Sequence, residues 1–584
     1  MISTRLGLLG ALSCGLPCAV PGAPQAAFEL HDHAALVRVA SALAAEHPEL
    51  VRVSTLAQSR GGRALIALRL SGHAEAPAGT PAILLVAGLD GPRAYTSSLA
   101  LHHARELVAR YGSDVAVTEL LDSTTLYIVP RLDVDACEAR FRSPLAEVLG
   151  TGHGVDNDRD GHQGEDAASD VDGDGYVAWM RVPDPEGTWI EDPTDPRALI
   201  EADRKKGERG QWKLLPEGLD SDGDDAVAED PALDAVVNRN FPRLWEEHAP
   251  AAGQYATAEP GALGLVEFLT SHGDIALVVT YGEEGKLVEK PAVQDDDGAP
   301  GGAEKSGVYD SDLALYERLG ERYRKLTGSE TEGLAEQPGS FQGFAYHHRG
   351  LACLDIDPWS VPLDAELEGT SEVEASEAES SETAKGEQAE RPEDEVQEDE
   401  PKPGDDAKRL IWLDQHRERP FLPWTEFEHP QLGKLEIGGF VPYSRIEPPA
   451  ELLAELAGQH LDFLVSLGAD LARLTLVEVE GEALGGGLYE VHAALENPAL
   501  LPQSTRAAEL CRAIRPARVR LLLPAGAELL GGRTHELVER LAGSGGRREF
   551  RWLVGGVDDL SALQVSFDTD NAGAQSVAVQ EEVK

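Results

Sequence analysis

The chain has 584 residues, with 51 Lys+Arg against 103 Asp+Glu and a formal net charge of −52. An acid excess of that size repels nucleic acid and anionic membrane surfaces over the whole approach, which excludes non-specific binding to either and leaves cations such as calcium, or basic peptides, as the partners that charge favours. With 42 % apolar residues the chain is long and apolar enough to bury a large core, and the question is where the charge sits.

The start reads Arg5, a mostly apolar stretch over 6–20, then Pro-Gly-Ala-Pro-Gln-Ala-Ala before Phe28. A charged residue, an apolar run too short to span a bilayer and a small-residue exit describe an export signal over 1–27, so the mature chain is expected in the periplasm or outside the cell. Cys14 and Cys18 lie inside this segment in contexts poor for lipid attachment. Cys137, Cys353 and Cys511 are far apart with no Cys-x-x-Cys pair, so no disulfide framework is expected. No later apolar run has the length of a membrane helix.

Beyond the signal, residues 33–47 carry Leu36, Val39, Ala40 and Leu43 at helical spacing, and short alternating runs at 50–55 and 63–70 read as strands. The continuous apolar run 81–87 marks a strand buried on both faces. A helix is expected over 97–111 and another buried strand over 124–129, with further strand and helix signals at 263–269, 275–280 and 313–326. The alternation is that of an α/β fold, a mixed and largely parallel central sheet flanked by helices. From about 473 the pattern changes to short β-rich runs (474–479, 519–523, 550–554) between Gly-rich turns, which predicts a C-terminal β-sandwich-like domain over 473–584 after an α/β domain over 28–472.

Two insertions supply over half of the −52: residues 151–230 carry a net of roughly −15 and residues 361–408 roughly −14. The second is Glu/Ser/Ala-rich without apolar periodicity, and a disordered tether is expected. The first is patterned. Asp156-x-Asp158-x-Asp160, Asp170-x-Asp172-x-Asp174 and Asp220-x-Asp222-x-Asp224 each present oxygen ligands at positions 1, 3 and 5, with a Gly after the third ligand in the first two. Alternate carboxylates on a tight turn converge on a hard cation, so calcium is expected, in a structural role because flanking helices and a Glu at position 12 are missing.

His47-Pro-Glu-Leu-Val-Arg-Val with Ser59-Arg-Gly-Gly-Arg63, then Ile128-Val-Pro130-Arg-Leu-Asp133, then Val237-Asn238-Arg239-Asn240-Phe241-Pro242 follow one another along the chain. This order of segments resembles the zinc metallocarboxypeptidases of the carboxypeptidase A type, and within them an exported bacterial subgroup with an Asp-rich insertion. The likeness continues through Gly339-Ser-Phe-Gln-Gly-Phe-Ala-Tyr346, Gly350-Leu-Ala-Cys-Leu-Asp-Ile-Asp357-Pro-Trp359, Met180-Arg181-Val-Pro-Asp-Pro-Glu-Gly and Leu432-Gly-Lys-Leu-Glu-Ile-Gly-Gly439. The resemblance implies a zinc held by His-x-x-Glu after a buried strand and by a later His. Here Asp90 stands at the first His, Arg93 at the Glu and Gly282 at the second His, so zinc is in doubt. An Arg brings a permanent positive charge and a Gly brings no ligand.

The resemblance further implies Asp357 at the position of the catalytic Glu, one methylene shorter, Asn238 and Arg239 as binders of a peptide's C-terminal carboxylate, and Tyr346 in the pocket wall. His103-Ala-Arg-Glu106 copies the zinc motif letter for letter, but it falls 13 residues after Asp90, inside the expected helix, and is read as ordinary helix. Three functions follow: a zinc-less pseudoenzyme that still binds peptide or protein C-termini; an active carboxypeptidase or amidase with a rearranged metal site; and a calcium-stabilised structural or adhesive module.

Overall fold

A computed structural model of the chain describes residues 28–151, 167–221, 227–228, 235–249, 251–283, 287, 291–294, 306–329, 336–363, 403–557 and 559–581. The segment expected to be an export signal, Asp156, Asp158, Asp160, Asp222 and Asp224, and most of the segment expected to be a tether lie outside the described residues.

The central sheet has six strands in the order Val51–Gln58, Ala64–Leu70, Thr125–Val129, Ala82–Val86, Ile275–Tyr281 and Ala352–Ile356. The first two pairings are antiparallel and the other three parallel, which makes the sheet mixed and mostly parallel. Ala82–Val86 is buried throughout because helices cover both faces. Its side chains alternate between two cores. Ile83 and Leu85 join Leu99, Leu107, Leu319 and Leu461 from helices Tyr95–Arg110, Asp310–Thr327 and Leu453–Leu467. Leu84 and Val86 join Leu265, Phe268 and Phe341 from helices Pro260–Ser271 and Phe341–His347 on the other side. The apolar run 263–269 thus lies within a helix.

The first insertion and the segment that follows the second build a single second sheet. Its order is Phe421–His429, Gly433–Phe440, Trp179–Pro183, Trp212–Pro216, Trp189–Glu191 and Leu199–Glu201. Arg181 knits it, with its guanidinium over the rings of Trp212 (4.5 Å) and Trp424 (4.8 Å) and paired with Glu191 and Glu436. The tether expected to reach 408 stops earlier, because helix Asp405–His416 starts there and buries Ala407, Leu410 and Leu413.

The C-terminal region forms five- and four-stranded sheets, almost wholly antiparallel, packed face to face through Val491, Leu495 and Trp552 of one and Val519, Val565 and Phe567 of the other. Buried Asp312 docks it on the α/β domain. Its carboxylate accepts from the Arg506 amide (2.8 and 2.9 Å) and from Arg540 Nη2 (3.3 Å), and Tyr346 Oη donates to it at 2.7 Å.

The turn after Ala82–Val86 depends on Gly88, whose φ is +56° and whose absent Cβ would lie 2.5 Å from Ser97 Oγ and 3.0 Å from Arg131 Cα. Gly88→Ala is therefore expected to lower stability by about 1–3 kcal/mol in urea melts, through both the left-handed backbone and the contact with Arg131.

Candidate functional site

Strands Ala82–Val86, Ile275–Tyr281 and Ala352–Ile356 are parallel neighbours, so the loops that leave their C-terminal ends emerge at one edge. The chain departs from Ala82–Val86 to a neighbour on one side, Thr125–Val129, and returns on the other as Ile275–Tyr281, and such a reversal opens a crevice. Asp90 and Arg93, Gly282 and Glu283, and Asp357 are carried there by these three loops. Arg93, Glu283 and Asp357 face a cleft of about 1110 Å³, lined also by Trp359, Arg445 and His460 among others.

The Arg93 guanidinium is the hub. Nη2 donates to Asp357 Oδ2 (3.1 Å), Nη1 donates to Glu283 Oε2 (3.2 Å), and Nη1 lies 3.9 Å from Asp90 Oδ2. The Arg93 amide donates to Asp90 Oδ1 at 3.2 Å, and Arg239 Nη2 donates to the other Glu283 oxygen at 3.0 Å. Burial pushes the Asp90 carboxyl up to about 6 against the opposing pull of Arg93. Burial raises Asp357 too, again with Arg93 pulling down. Burial works against the charge of Arg93 itself, but Asp357, Asp90 and Glu283 outweigh it and hold the guanidinium above its ordinary value. Arg93 Nε, Asp357 Oδ1 and Arg239 Nη1 are buried and have no partner among the described residues.

These residues do not fit zinc. A fixed cation already holds the carboxylates that would have to serve as ligands, and a second cation there would be repelled at short range. Nor is there room for a ligand at 282. A Cβ on Gly282 would lie 2.9 Å from Asp355 Oδ1 and 3.1 Å from Gln342 Nε2, a buried pair bonded to each other at 3.0 Å, with Thr280 Oγ1 donating to the same Asp355 oxygen.

Two expected binding residues serve other purposes. Tyr346 is a correction: it is buried in the core, donates to Asp312 and accepts from the Tyr309 amide at 2.9 Å, so it does not line the cleft. Asn238 is buried, and its Oδ1 accepts from the Phe341 amide at 2.9 Å, which ties the loop to helix Phe341–His347. Arg239 reaches the site only through Glu283 and is itself outside the cleft wall. In the imitation zinc motif, His103 is fully buried against Tyr281 Oη (2.8 Å) and Glu106 pairs with Arg110 at 3.1 Å.

Sequence reasoning missed Glu283, Asp355 and Gln342. A signal existed for the first two: a carboxylate two residues past one buried strand, and an Asp inside the otherwise apolar Ala352–Ile356.

In the first insertion, ligand oxygens of Asp170, Asp172 and Asp174 lie within 4.8 Å of one another. Asp170 accepts from the Gly173 (2.7 Å) and Gly175 (3.0 Å) amides, and buried Glu217 braces the loop by accepting from Val171 (2.6 Å) and Ala178 (2.8 Å). The Asp220 amide donates to Gln431 Oε1 at 3.0 Å, apart from that cluster.

Removing the Arg93 charge should show its role. Arg93→Met leaves buried carboxylates uncompensated and is expected to cost about 3–5 kcal/mol near neutral pH. Burial then keeps the folded-state values of Asp90 and Asp357 above the unfolded ones, so protonation favours the folded state, fully at acid pH and less as pH rises through the folded values. Urea melts at about pH 5 and about pH 8 should show the smaller deficit at the lower pH.

Residues 36–171 match the family model described as zinc carboxypeptidase, and residues 473–580 match one described as a domain of unknown function. Human carboxypeptidase B is 31 % identical over 93 residues, 16 % of this chain and 22 % of that protein. A zinc carboxypeptidase of Saccharothrix mutabilis subsp. capreolus is 27 % identical over 93 residues, 16 % of this chain and 21 % of that protein. The chain thus spans about a fifth of the length of these curated relatives. Among solved structures, carboxypeptidase A from Helicoverpa armigera aligns over 56 % of this chain and 64 % of its own at 14 % identity, with a TM-score of 0.34. The matched segment, residues 36–171, carries the Ala82–Val86 strand and the Asp90–Arg93 loop, and over that segment the chain is similar to the zinc carboxypeptidases.

Proposed function

We propose that this chain is an exported, zinc-less member of the family, whose cleft binds the C-terminal ends of peptides or proteins without hydrolysing them. The observation that carries this reading is the Arg93 guanidinium, engaged by Asp357 and Glu283 and close to Asp90, at the position where the family keeps a zinc ligand. A guanidinium supplies fixed positive charge and directional donors, which suit binding. It offers no open coordination position and lowers the pKa of no water, which are the contributions hydrolysis takes from zinc. Asp357 is correspondingly an ion-pair partner, with Oδ2 engaged by Arg93 and only Oδ1 open. Purified protein incubated with zinc and then desalted is expected to retain less than about a tenth of an equivalent and to release no C-terminal residue from peptides. Stoichiometric zinc accompanied by release would overturn the reading.

A structural calcium ion at Asp170, Asp172 and Asp174 belongs to the same proposal, supported by three carboxylates converging on a braced turn. Calcium should raise the melting temperature by about 2–4 °C, and Asp172→Asn should abolish that shift. No difference between calcium and chelator in the unsubstituted chain would remove the ion.

A further inference from the structure

Glu283 lines the cleft while Arg239, which it holds, does not. One Glu283 oxygen accepts from Arg93 Nη1 at 3.2 Å and the other from Arg239 Nη2 at 3.0 Å. A carboxylate bridging two guanidinium groups at the inner end of a cleft is what a bound carboxylate ligand would look like, and here the chain supplies it. We propose that Glu283 is an internal carboxylate ligand that fills the anion position of the cleft, so that the cleft selects peptide ends whose carboxylate is masked, as in a C-terminal amide, over free C-terminal carboxylates. This rests on the reading that the cleft takes peptide ends and specifies which ones.

The charge balance gives the reason. Asp90, Glu283 and Asp357 face Arg93 and Arg239, three carboxyl groups against two guanidinium groups, in a site largely withdrawn from water. A ligand carboxylate entering beside Glu283 makes four against two, and like charges at such distances repel strongly where water does not screen them. It can enter only by displacing Glu283, which leaves the displaced carboxylate without its two partners. A primary amide avoids this penalty. Its N–H groups meet Asp357 Oδ1 and its carbonyl can accept from Arg93 Nε, atoms of two residues of the cleft wall that have no hydrogen-bond partner among the described residues. Without the Glu283 charge the balance becomes two against two, and an external carboxylate restores the arrangement seen here.

The test titrates one N-acetylated peptide, prepared with a free C-terminal carboxylate and as the C-terminal amide, into the full chain and into Glu283→Gln by calorimetry. The unsubstituted chain should prefer the amide by roughly tenfold or more, whereas Glu283→Gln should bind the carboxylate roughly tenfold or more tighter than the unsubstituted chain does and lose the preference for the amide. Glu283→Ser, checked by its melting curve, provides the same comparison if the Gln variant does not fold. Equal affinity for the two peptides, unchanged by either substitution, overturns the role of Glu283 and leaves peptide binding standing. Binding of neither peptide to any of the proteins overturns both.

Discussion

The guanidinium of Arg93 sits among carboxyl groups that arrive on three different loops, and the edge of the α/β domain is organised around that one buried cation. Asp90, Glu283 and Asp357 leave three adjacent parallel strands at the same end, so their approach follows from sheet topology. Bringing three carboxyl groups together away from water is unfavourable by several kcal/mol without an opposing charge. Arg93 supplies it from within the same loop as Asp90, and Arg239 adds a second guanidinium from the Asn-Arg-Asn-Phe-Pro turn. The left-handed Gly88 aims the loop, and the bare Gly282 leaves room for the Thr280–Asp355–Gln342 network beneath it.

This arrangement differs from the site that the resemblance implies. In the site implied by the resemblance, carboxylate and imidazole groups surround a metal and one position is left for water. Here the cation is a side chain, planar and coordinatively closed, and its donors are mostly spent on the protein's own carboxylates. The remaining open atoms, Arg93 Nε, Asp357 Oδ1 and Arg239 Nη1, are a hydrogen-bonding set. They are the donors and acceptors that the proposed binding role would use.

Periodicity in single segments was enough to find strands Ala82–Val86 and Thr125–Val129, which are apolar throughout, and helices such as Tyr95–Arg110, but strand Ala352–Ile356 and helix Leu453–Leu467 went unread. The second sheet was hidden. Strands Trp179–Pro183 and Gly433–Phe440 pair across some 250 residues of chain, and nothing local in the Asp-rich insertion announces a partner beyond the tether. The substitutions at Asp90, Arg93 and Gly282 could be read by position, but their meaning could not. Position alone also suggested Tyr346 as a pocket residue, and packing against Asp312 removed it.

The sequence by itself determined that the acid is concentrated in two insertions and that the core is α/β with a β-rich end, which are matters of composition and periodicity; that an Arg and a Gly stand where zinc ligands are expected is what the resemblance implied. Only the tertiary structure decided that Arg93 fills the site with its own ion pairs and that Glu283 bridges it to Arg239. The physical reason is that such contacts depend on the distance between loops 190 and 44 residues apart, which parallel strand order brings within hydrogen-bond reach and which no local spacing encodes.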